Sequence, residues 1–281
     1  ITAAPQSRTN IAGTEVVFTV AASGVPSPSY QWRKDGVNLA GATAGVLTLS
    51  NVSTNDAGAY DVVASNPAGS VTSSPPAMLT VWVPPVITTA PQSRTNIAGT
   101  EAVFTVTAFG LPNPAYQWRK NGLNLAGATA GVLTLSNVST NDAGAYEVVV
   151  SNPAGSVTSS PPAMLTVWVP PVITAPPQSR TNIAGTEAVF TVTAFGLPSP
   201  SYQWRRNGAP LPGEISSVLL LPKVTVGDAG VYDVIVSNPA GSVTSLPPAT
   251  LTVWVPPLIT VQLQSRTNLA GTTAAFSVVA D

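Results

Sequence analysis

The sequence contains no cysteine and no histidine among its 281 residues. It therefore has no thiol nucleophile, no disulfide, no zinc site of the usual ligand types and no ordinary general base for a catalytic triad. The absence of cysteine does not decide the compartment, because a secreted protein can fold without disulfides. The composition gives no reason to predict catalytic residues, metal ligands or a cofactor.

Charge is also scarce, since only 8% of the residues are charged and the formal net charge is −1. That share is about a third of the usual one. The eleven lysines and arginines are scattered without a basic stripe, so we expect no nucleic-acid partner. No apolar run approaches the roughly 18 residues of a membrane-spanning helix, so we expect no membrane insertion.

The sequence does contain a repeat with a period of 86 residues. The tetrapeptide Ser-Arg-Thr-Asn returns at this spacing, with its asparagine at Asn10, Asn96, Asn182 and Asn268. The period exceeds the roughly 20–50 residues of solenoid repeats, so each unit is long enough to be a domain. We expect domains at 1–85, 86–171 and 172–257, followed by the incomplete start of a fourth, its first two strands, at 258–281.

Each unit has the pattern of an all-β domain. Val16, Phe18 and Val20 alternate with polar or exposed positions, as in a strand that is buried on one face. Tyr30 and Trp32 alternate in the same way on the next strand. About seven or eight short strands, with turn signals every 8–12 residues or so, predict a β-sandwich.

The most specific motif lies near the end of each unit. Asp56 begins a tight corner, Tyr60 and Val62 alternate along the strand that follows, and Asn66 begins the next turn. With Trp32 upstream, this stretch resembles the end of an immunoglobulin domain of the intermediate set, where the tyrosine hydroxyl closes a corner. It returns at 141–155 and 227–241. We therefore predict tandem immunoglobulin-like β-sandwiches, joined end to end by short Pro-Pro linkers.

The resemblance implies a core of tryptophan and tyrosine, with one departure from the family. The two positions that carry the cystine between the sheets are valine in every unit. Loss of the disulfide lowers the free energy of unfolding by about 2–5 kcal/mol, and burial of each valine raises it by roughly 1.5–3 kcal/mol. Packing alone can therefore close the core. The predicted core residues are Trp32, Trp118, Trp204, Tyr60, Tyr146, Tyr232, Val20, Val62, Val106, Val148, Val192 and Val234.

Between units the sequence reads Trp-Val-Pro-Pro, which predicts a semi-rigid joint because it has no glycine or serine. It has no acidic cluster for calcium either. Because side chains alternate along a strand and Val81 points into the core, we expect the Trp82 side chain to point away from the core of its own domain. Packing at the joint, a platform for sugar and lateral contact with another chain all remain open for it. The candidate joint residues are Trp82, Trp168, Trp254, Pro84, Pro85, Pro170, Pro171, Pro256 and Pro257.

The function predicted first is structural. Long arrays of near-identical, cysteine-free domains resemble those of large bacterial surface or secreted proteins, which implies an extracellular or cell-surface stalk or filament. Its partners would be neighbouring copies of itself. The alternative is an adhesive module that recognises glycans or a partner protein through loops or outer aromatic residues. An intracellular elastic array is a third interpretation.

Catalysis ranks last among the predicted functions. Asp56 and Asp61 recur as a pair in every unit, but one belongs to a corner and the other to the outer face of a strand. Paired carboxylates need a cleft to act on a glycoside. We therefore expect no enzyme.

The segment 258–281 is too short to bury its own apolar face. We expect it to be completed by the continuing chain or by a neighbouring chain through strand addition. Under this hypothesis residues 259–281 take the pose that residues 1–21 take in the first domain.

Overall fold

The computed structural model of the chain describes residues 1–280, and Asp281 lies outside the described residues. By proximity of Cα atoms the chain divides into two compact units, residues 1–95 with 100–166 and residues 96–99 with 167–281. The described residues form β-strands and short 3-10 turns, which confirms the all-β class. The turns are Thr54–Asp56, Thr140–Asp142 and Val226–Asp228.

The first domain contains eight strands. They are β1 (Arg8–Ile11), β2 (Val16–Thr19), β3 (Ser29–Lys34), β4 (Val37–Asn38), β5 (Val46–Leu49), β6 (Gly58–Asn66), β7 (Gly69–Thr72) and β8 (Ala77–Thr89). Strands β2 and β5 form one sheet, and β1-β8-β6-β3-β4 form the other, with β7 also paired to β6. Strand β1 runs parallel to β8, whereas the other pairs are antiparallel. This is the predicted sandwich.

The core of the first domain lies between these two sheets. Trp32, Val62 and Val20 belong to one buried cluster, in which Trp32 and Val62 have no exposed surface and Val20 retains 9%. The ring of Phe18 stacks on Tyr60 at a centroid distance of 5.0 Å. An offset aromatic pair of this kind adds to the burial of apolar area.

The second domain repeats this arrangement. Its strands are β9 (Arg94–Ile97), β10 (Ala102–Thr105), β11 (Thr107–Leu111), β12 (Ala115–Lys120), β13 (Leu123–Asn124), β14 (Val132–Leu135), β15 (Gly144–Asn152), β16 (Gly155–Thr158) and β17 (Ala163–Ala175). It has one strand more than the first domain, because β11 forms where residues 21–25 of the first domain make only one bridge, Ala3 to Ala21.

The third domain lies within the second compact unit. Its strands are β18 (Arg180–Ile183), β19 (Ala188–Thr191), β20 (Thr193–Leu197), β21 (Ser201–Arg206), β22 (Ala209–Pro210), β23 (Val218–Leu221), β24 (Gly230–Asn238), β25 (Gly241–Thr244) and β26 (Ala249–Trp254). Its buried cluster contains Trp204, Tyr232, Val192 and Val234. The division of residues into core and surface therefore repeats with the sequence.

The described part of the fourth repeat contains β27 (Ile259–Val261) and β28 (Val279–Ala280). Ile259 pairs with Ala280, in the register in which Ile87 pairs with Ala108. Asn268 donates to the side chain of Thr272 and the carbonyl of Thr273, as Asn10 does to Thr14 and Glu15. Locally the segment repeats its counterparts, although its residues are exposed.

Candidate functional site: the joint between domains

The corner before β6 is held by the tyrosine that the sequence motif singled out. The Tyr60 hydroxyl donates to the backbone carbonyl of Asp56 at 2.7 Å, and Tyr146 and Tyr232 make the same bond to Asp142 and Asp228. Burial, followed by the charges of Asp56 and Asp35, raises the pKa of Tyr60 to about 12. The hydroxyl therefore stays protonated and keeps donating.

The Asp56 carboxylate also stabilises the corner. It accepts hydrogen bonds from the backbone N–H of Ser53 at 2.8 Å and from the Ser53 hydroxyl at 2.9 Å, which together lower the pKa of Asp56. Asp61 lies on the neighbouring strand β6 and forms a bidentate pair with Arg33, with distances of 2.6 and 3.0 Å. Each carboxylate thus has its own structural partners.

Among residues 1–280, no group of three or more His, Asp or Glu side chains lies close enough together to hold a metal ion. Within the same residues, no helix has the length and apolar character needed to cross a membrane.

The joint between the first two domains is a continuous strand. Strand β8 runs from the end of the first domain through Pro84 and Pro85 to Thr89. Its first half pairs with β6 and β1, and its second half pairs with β11 of the next domain. The Pro-Pro segment, which the sequence predicted to be a semi-rigid joint, is therefore part of a continuous strand. Proline cannot donate to the ladder, and the register shift between Phe109 and Leu111 falls opposite the prolines.

The second domain fastens this strand from the side. The side-chain amide of Asn152 donates to the carbonyl of Val83 at 2.8 Å and to the carbonyl of Pro112 at 3.0 Å. A Cβ atom at Gly110 would lie 3.1 Å from the Cα of Pro85. A side chain at residue 110 would therefore force one of the two backbones to shift by a few tenths of an ångström.

The same contacts recur within the second compact unit. Asn238 donates to the carbonyl of Val169 at 2.8 Å. A Cβ atom at Gly196 would lie 3.2 Å from the Cα of Pro171. Strand β17 pairs with β20 here as β8 pairs with β11 in the first unit. The joint is therefore a repeated structural element.

The tryptophans of the joint differ in exposure along the chain. Trp82 and Trp168 are half-buried, whereas Trp254 is 64% exposed. Pro85 and Pro171 are buried, but Pro257 is exposed. The less exposed tryptophans and prolines are those that a complete domain follows. Their burial supports a role in the joint for Trp82, Trp168, Pro85 and Pro171. The assignment of the core and joint residues as functional sites remains a prediction.

Sequence reasoning missed the residues that receive the joint strand. The composition of residues 24–28 in the first domain predicts a loop. In the second domain, however, the equivalent residues Gly110 and Leu111 belong to strand β11. Asn152, the counterpart of the predicted turn residue Asn66, contacts the joint through its side chain. The available signal was Phe109, a good strand former that occupies the position of Ser23.

Comparison with known proteins assigns the fold to a family. The profile described as "Immunoglobulin domain" matches residues 1–66, 84–152 and 170–238. The chain belongs to the immunoglobulin domain family. Each matched segment begins at the first residue of a predicted domain or two residues before it, and ends at the last residue of β6, β15 or β24.

Two curated relatives show how arrays of such domains occur in larger proteins. The chain is 34% identical to hemicentin-1 of Homo sapiens over 92% of its own length and 5% of that protein. It is 30% identical to protein sax-3 of Caenorhabditis elegans over 85% of its length and 21% of that protein. The chain thus spans only a small part of each relative. Both are animal proteins, and they do not support the bacterial setting predicted from the sequence.

A solved structure supports the fold alone. An I-band fragment of titin superimposes with a TM-score of 0.75, covering 89% of this chain and 96% of the fragment at 24% sequence identity. The comparison confirms tandem immunoglobulin-like domains as the architecture.

Proposed function

We propose that the chain is a structural part of an extracellular or cell-surface array, a stalk or filament of immunoglobulin domains without catalytic activity. The observation that carries this proposal is strand β8, which belongs to two successive domains at once. A tension applied along β8 is resisted by β1 and β6 at one end and by β11 at the other. Such a joint suits a load-bearing array better than a flexible linker would.

The joint also contains few groups that would specify a small ligand. Val83, Pro84 and Pro85 are apolar, and the Asn152 side chain that reaches them is bonded to two carbonyls. The polar groups of the joint are therefore used to hold it together. This use favours a structural role over recognition at the joint.

We also propose that the domains are of the intermediate set. The parallel pairing of β1 with β8, together with the separate bridge from Ala3 to Ala21, splits the first strand between the two sheets. Short strand β4 extends the larger sheet. These features support the subtype, which the family profile does not resolve.

Electron micrographs of the native material would test the structural proposal. The proposal predicts continuous straight stalks or fibres in which the domain repeat is regular. Isolated strings that bend freely between domains would contradict it, because a shared strand resists bending at each joint.

The alternative function is adhesion to a glycan or a partner protein. Phe109 and Phe195 favour it, because they are 55% and 54% exposed beside their joints. The first domain has Ser23 at this position, so the chain itself supplies the replacement residue. If adhesion is the function, the variant with Phe109→Ser and Phe195→Ser should lose binding on a glycan array or to a cell-surface extract. Retention of binding in that variant would reject these aromatic residues as the contact.

A further inference from the structure

Two asparagines occupy the same place just after the fifth and the fourteenth strand of the chain. Asn51 lies two residues beyond the end of β5, and Asn137 lies two residues beyond the end of β14. Each begins the tripeptide Asn-Val-Ser. This is the acceptor pattern for an N-linked glycan, in which asparagine is followed by any residue except proline and then by serine or threonine. No other asparagine of the sequence begins such a tripeptide.

The side chains of these two asparagines are accessible and unused by the fold. Both residues are exposed, and neither side-chain amide makes a hydrogen bond to another residue in the range 1–280. Their backbones have φ of 54° and 55°, which asparagine tolerates better than most residues. Lys223 takes the equivalent place in the third domain without a positive φ. The turn can therefore be made without asparagine, so the turn alone does not account for the two free amides.

The strand that precedes each asparagine has an open edge. Among residues 1–280, β5 pairs only with β2, and β14 pairs only with β10. Val46 on β5 is 52% exposed, and Val132 on β14 is 51% exposed. An unprotected edge of this kind can pair with a strand of another chain. With only 8% of the residues charged, the protein has little electrostatic repulsion to prevent that pairing.

The third domain protects the equivalent edge in a different way. Its strand β23 pairs only with β19 in the part of the chain that the structure describes. Pro222 directly follows β23, and Lys223 stands in place of the asparagine. Proline and lysine are residues that natural proteins place on sheet edges to prevent pairing. The third domain therefore has a protected edge where the first two domains have an acceptor tripeptide.

We propose that Asn51 and Asn137 carry N-linked glycans, which cover the open edges of β5 and β14. A glycan is bulky and hydrophilic, so it keeps another chain from pairing with the strand that ends two residues earlier. The domains of an array are then presented without edge-to-edge association. This inference rests on the proposed extracellular setting, because such glycans are attached on the secretory route.

The attachment is a group transfer to the side-chain amide nitrogen. The donor is an oligosaccharide that is linked through its anomeric carbon to a lipid diphosphate. Nδ2 of the asparagine attacks this carbon, and the bond from the carbon to the diphosphate oxygen breaks as the carbon–nitrogen bond forms. The lipid diphosphate leaves with the electron pair of the broken bond, and the amide nitrogen releases one proton. The step needs no oxidant or reductant.

The intact mass of the 281-residue chain, secreted from cultured animal cells behind a secretion signal, tests the attachment. We expect two glycans, and their removal by a peptide N-glycosidase should leave aspartate at residues 51 and 137. Asn51→Gln and Asn137→Gln should each lose one glycan, whereas Asn55→Gln changes an exposed asparagine outside the tripeptide and should keep both. If glutamine disturbs the turn, Asn51→Gly removes the acceptor and adopts the positive φ freely. A secreted chain in which either asparagine is unmodified overturns the proposal for that domain.

The third domain offers a test by gain of the modification. Lys223 is followed by Val224 and Thr225, so Lys223→Asn creates an acceptor tripeptide at the equivalent turn. We expect this variant to carry a third glycan, and Lys223→Gln to carry only two. If Lys223→Asn also carries only two, the turn is not accessible to the transferase, which contradicts the assignment.

Sedimentation velocity tests whether the glycans protect the edges. The double variant Asn51→Gln with Asn137→Gln leaves β5 and β14 uncovered, and we expect its sedimentation coefficient to rise with concentration while that of the glycosylated chain does not. A matched control carries the proline and lysine of the third domain in the first two domains: Ser50→Pro, Asn51→Lys, Ser136→Pro and Asn137→Lys. This control has no glycan and should stay monomeric. A double variant that remains monomeric at every concentration overturns the protective role.

The outcome of these experiments is independent of the micrograph test of the array. Continuous stalks built from chains without glycans would support the proposed function and reject this inference. Glycosylated chains that form freely bending strings would support this inference and reject the stalk.

Discussion

The side-chain amide of Asn152 donates a hydrogen bond to the backbone carbonyl of Val83, 2.8 Å away and 69 residues earlier in the chain. Val83 belongs to the strand that leaves the first domain, and Asn152 is the last residue of β15 of the second. This bond ties the two domains together beside the prolines of the joint.

Replacing Asn152 with alanine should loosen the joint. A hydrogen bond of this kind contributes about 0.5–1.5 kcal/mol, and hydrogen exchange at the amides of β11 should accelerate accordingly. Asn66→Ala is the matched control, because Asn66 makes the bond to its own domain but none to a joint strand. Equal effects of the two substitutions on domain coupling would show that the bond to Val83 contributes nothing.

The close approach at Gly110 gives a second prediction. Gly110→Ala places a Cβ 3.1 Å from the Cα of Pro85, so the joint strand must shift and the second half of β8 should exchange faster. Gly24→Ala is the matched control, because its Cβ would meet the Asn66 side chain at 3.0 Å, as at Gly110, but no joint strand. If the amides in the second half of β8 exchange at the same rate in both variants, the close approach of the two backbones does not determine the stability of the joint.

The core gives a third prediction. Trp32 has no exposed surface and its indole N–H donates to the carbonyl of Ala44 at 2.8 Å. Trp32→Ala should lower the free energy of unfolding of the first domain by about 3–5 kcal/mol. Trp254→Ala removes a tryptophan that is 64% exposed and should change stability by only about 0.5 kcal/mol or less. Hydrogen exchange resolved by domain can measure both, and a small effect at Trp32 would contradict a core closed by packing without cystine.

The corner carboxylates predict a loss of stability in acid. Hydrogen bonds from Ser53 lower the pKa of Asp56, and those from Ser139 and Thr225 do the same for Asp142 and Asp228. A depressed pKa contributes stability that is present above the unfolded value of about 3.9 and is lost as the pH falls through the folded value.

Urea denaturation between about pH 2 and pH 6 measures this contribution. The triple variant with Asp→Asn at residues 56, 142 and 228 should show a flatter decline in acid than the unchanged protein. Glu15→Gln, which removes a charge at an exposed residue, controls for net charge. If the free energy of unfolding falls with pH as steeply in the triple variant as in the unchanged protein, other groups cause the loss of stability in acid.

Much of the fold could be predicted because the signals are local. Tyr60 and Val62 alternate with less buried residues on one strand, and both are buried together with Trp32. Asp56 and Tyr60 are four residues apart, so their corner is contained in one motif.

The strand pairing of the joint could not be predicted, because its partners are distant in the sequence. Pro84 and Pro85 read as a linker from composition, and only the pairing of β8 with β11, some 20 residues later, makes them part of a strand. The environment of Asn152 depends on a carbonyl in the preceding domain. No periodicity within one repeat contains that contact.

The central claim is that the joint strand couples successive domains, and backbone ¹⁵N relaxation of the first two domains tests it most directly. Residues 1–95 and 100–166, which contain most of both domains, form one compact unit. The account predicts that amides of the first and second domains report the same rotational correlation time, and that Asn152→Ala with Gly110→Ala separates the two values. Two independent correlation times in the unchanged protein, each typical of a single immunoglobulin domain, would contradict it.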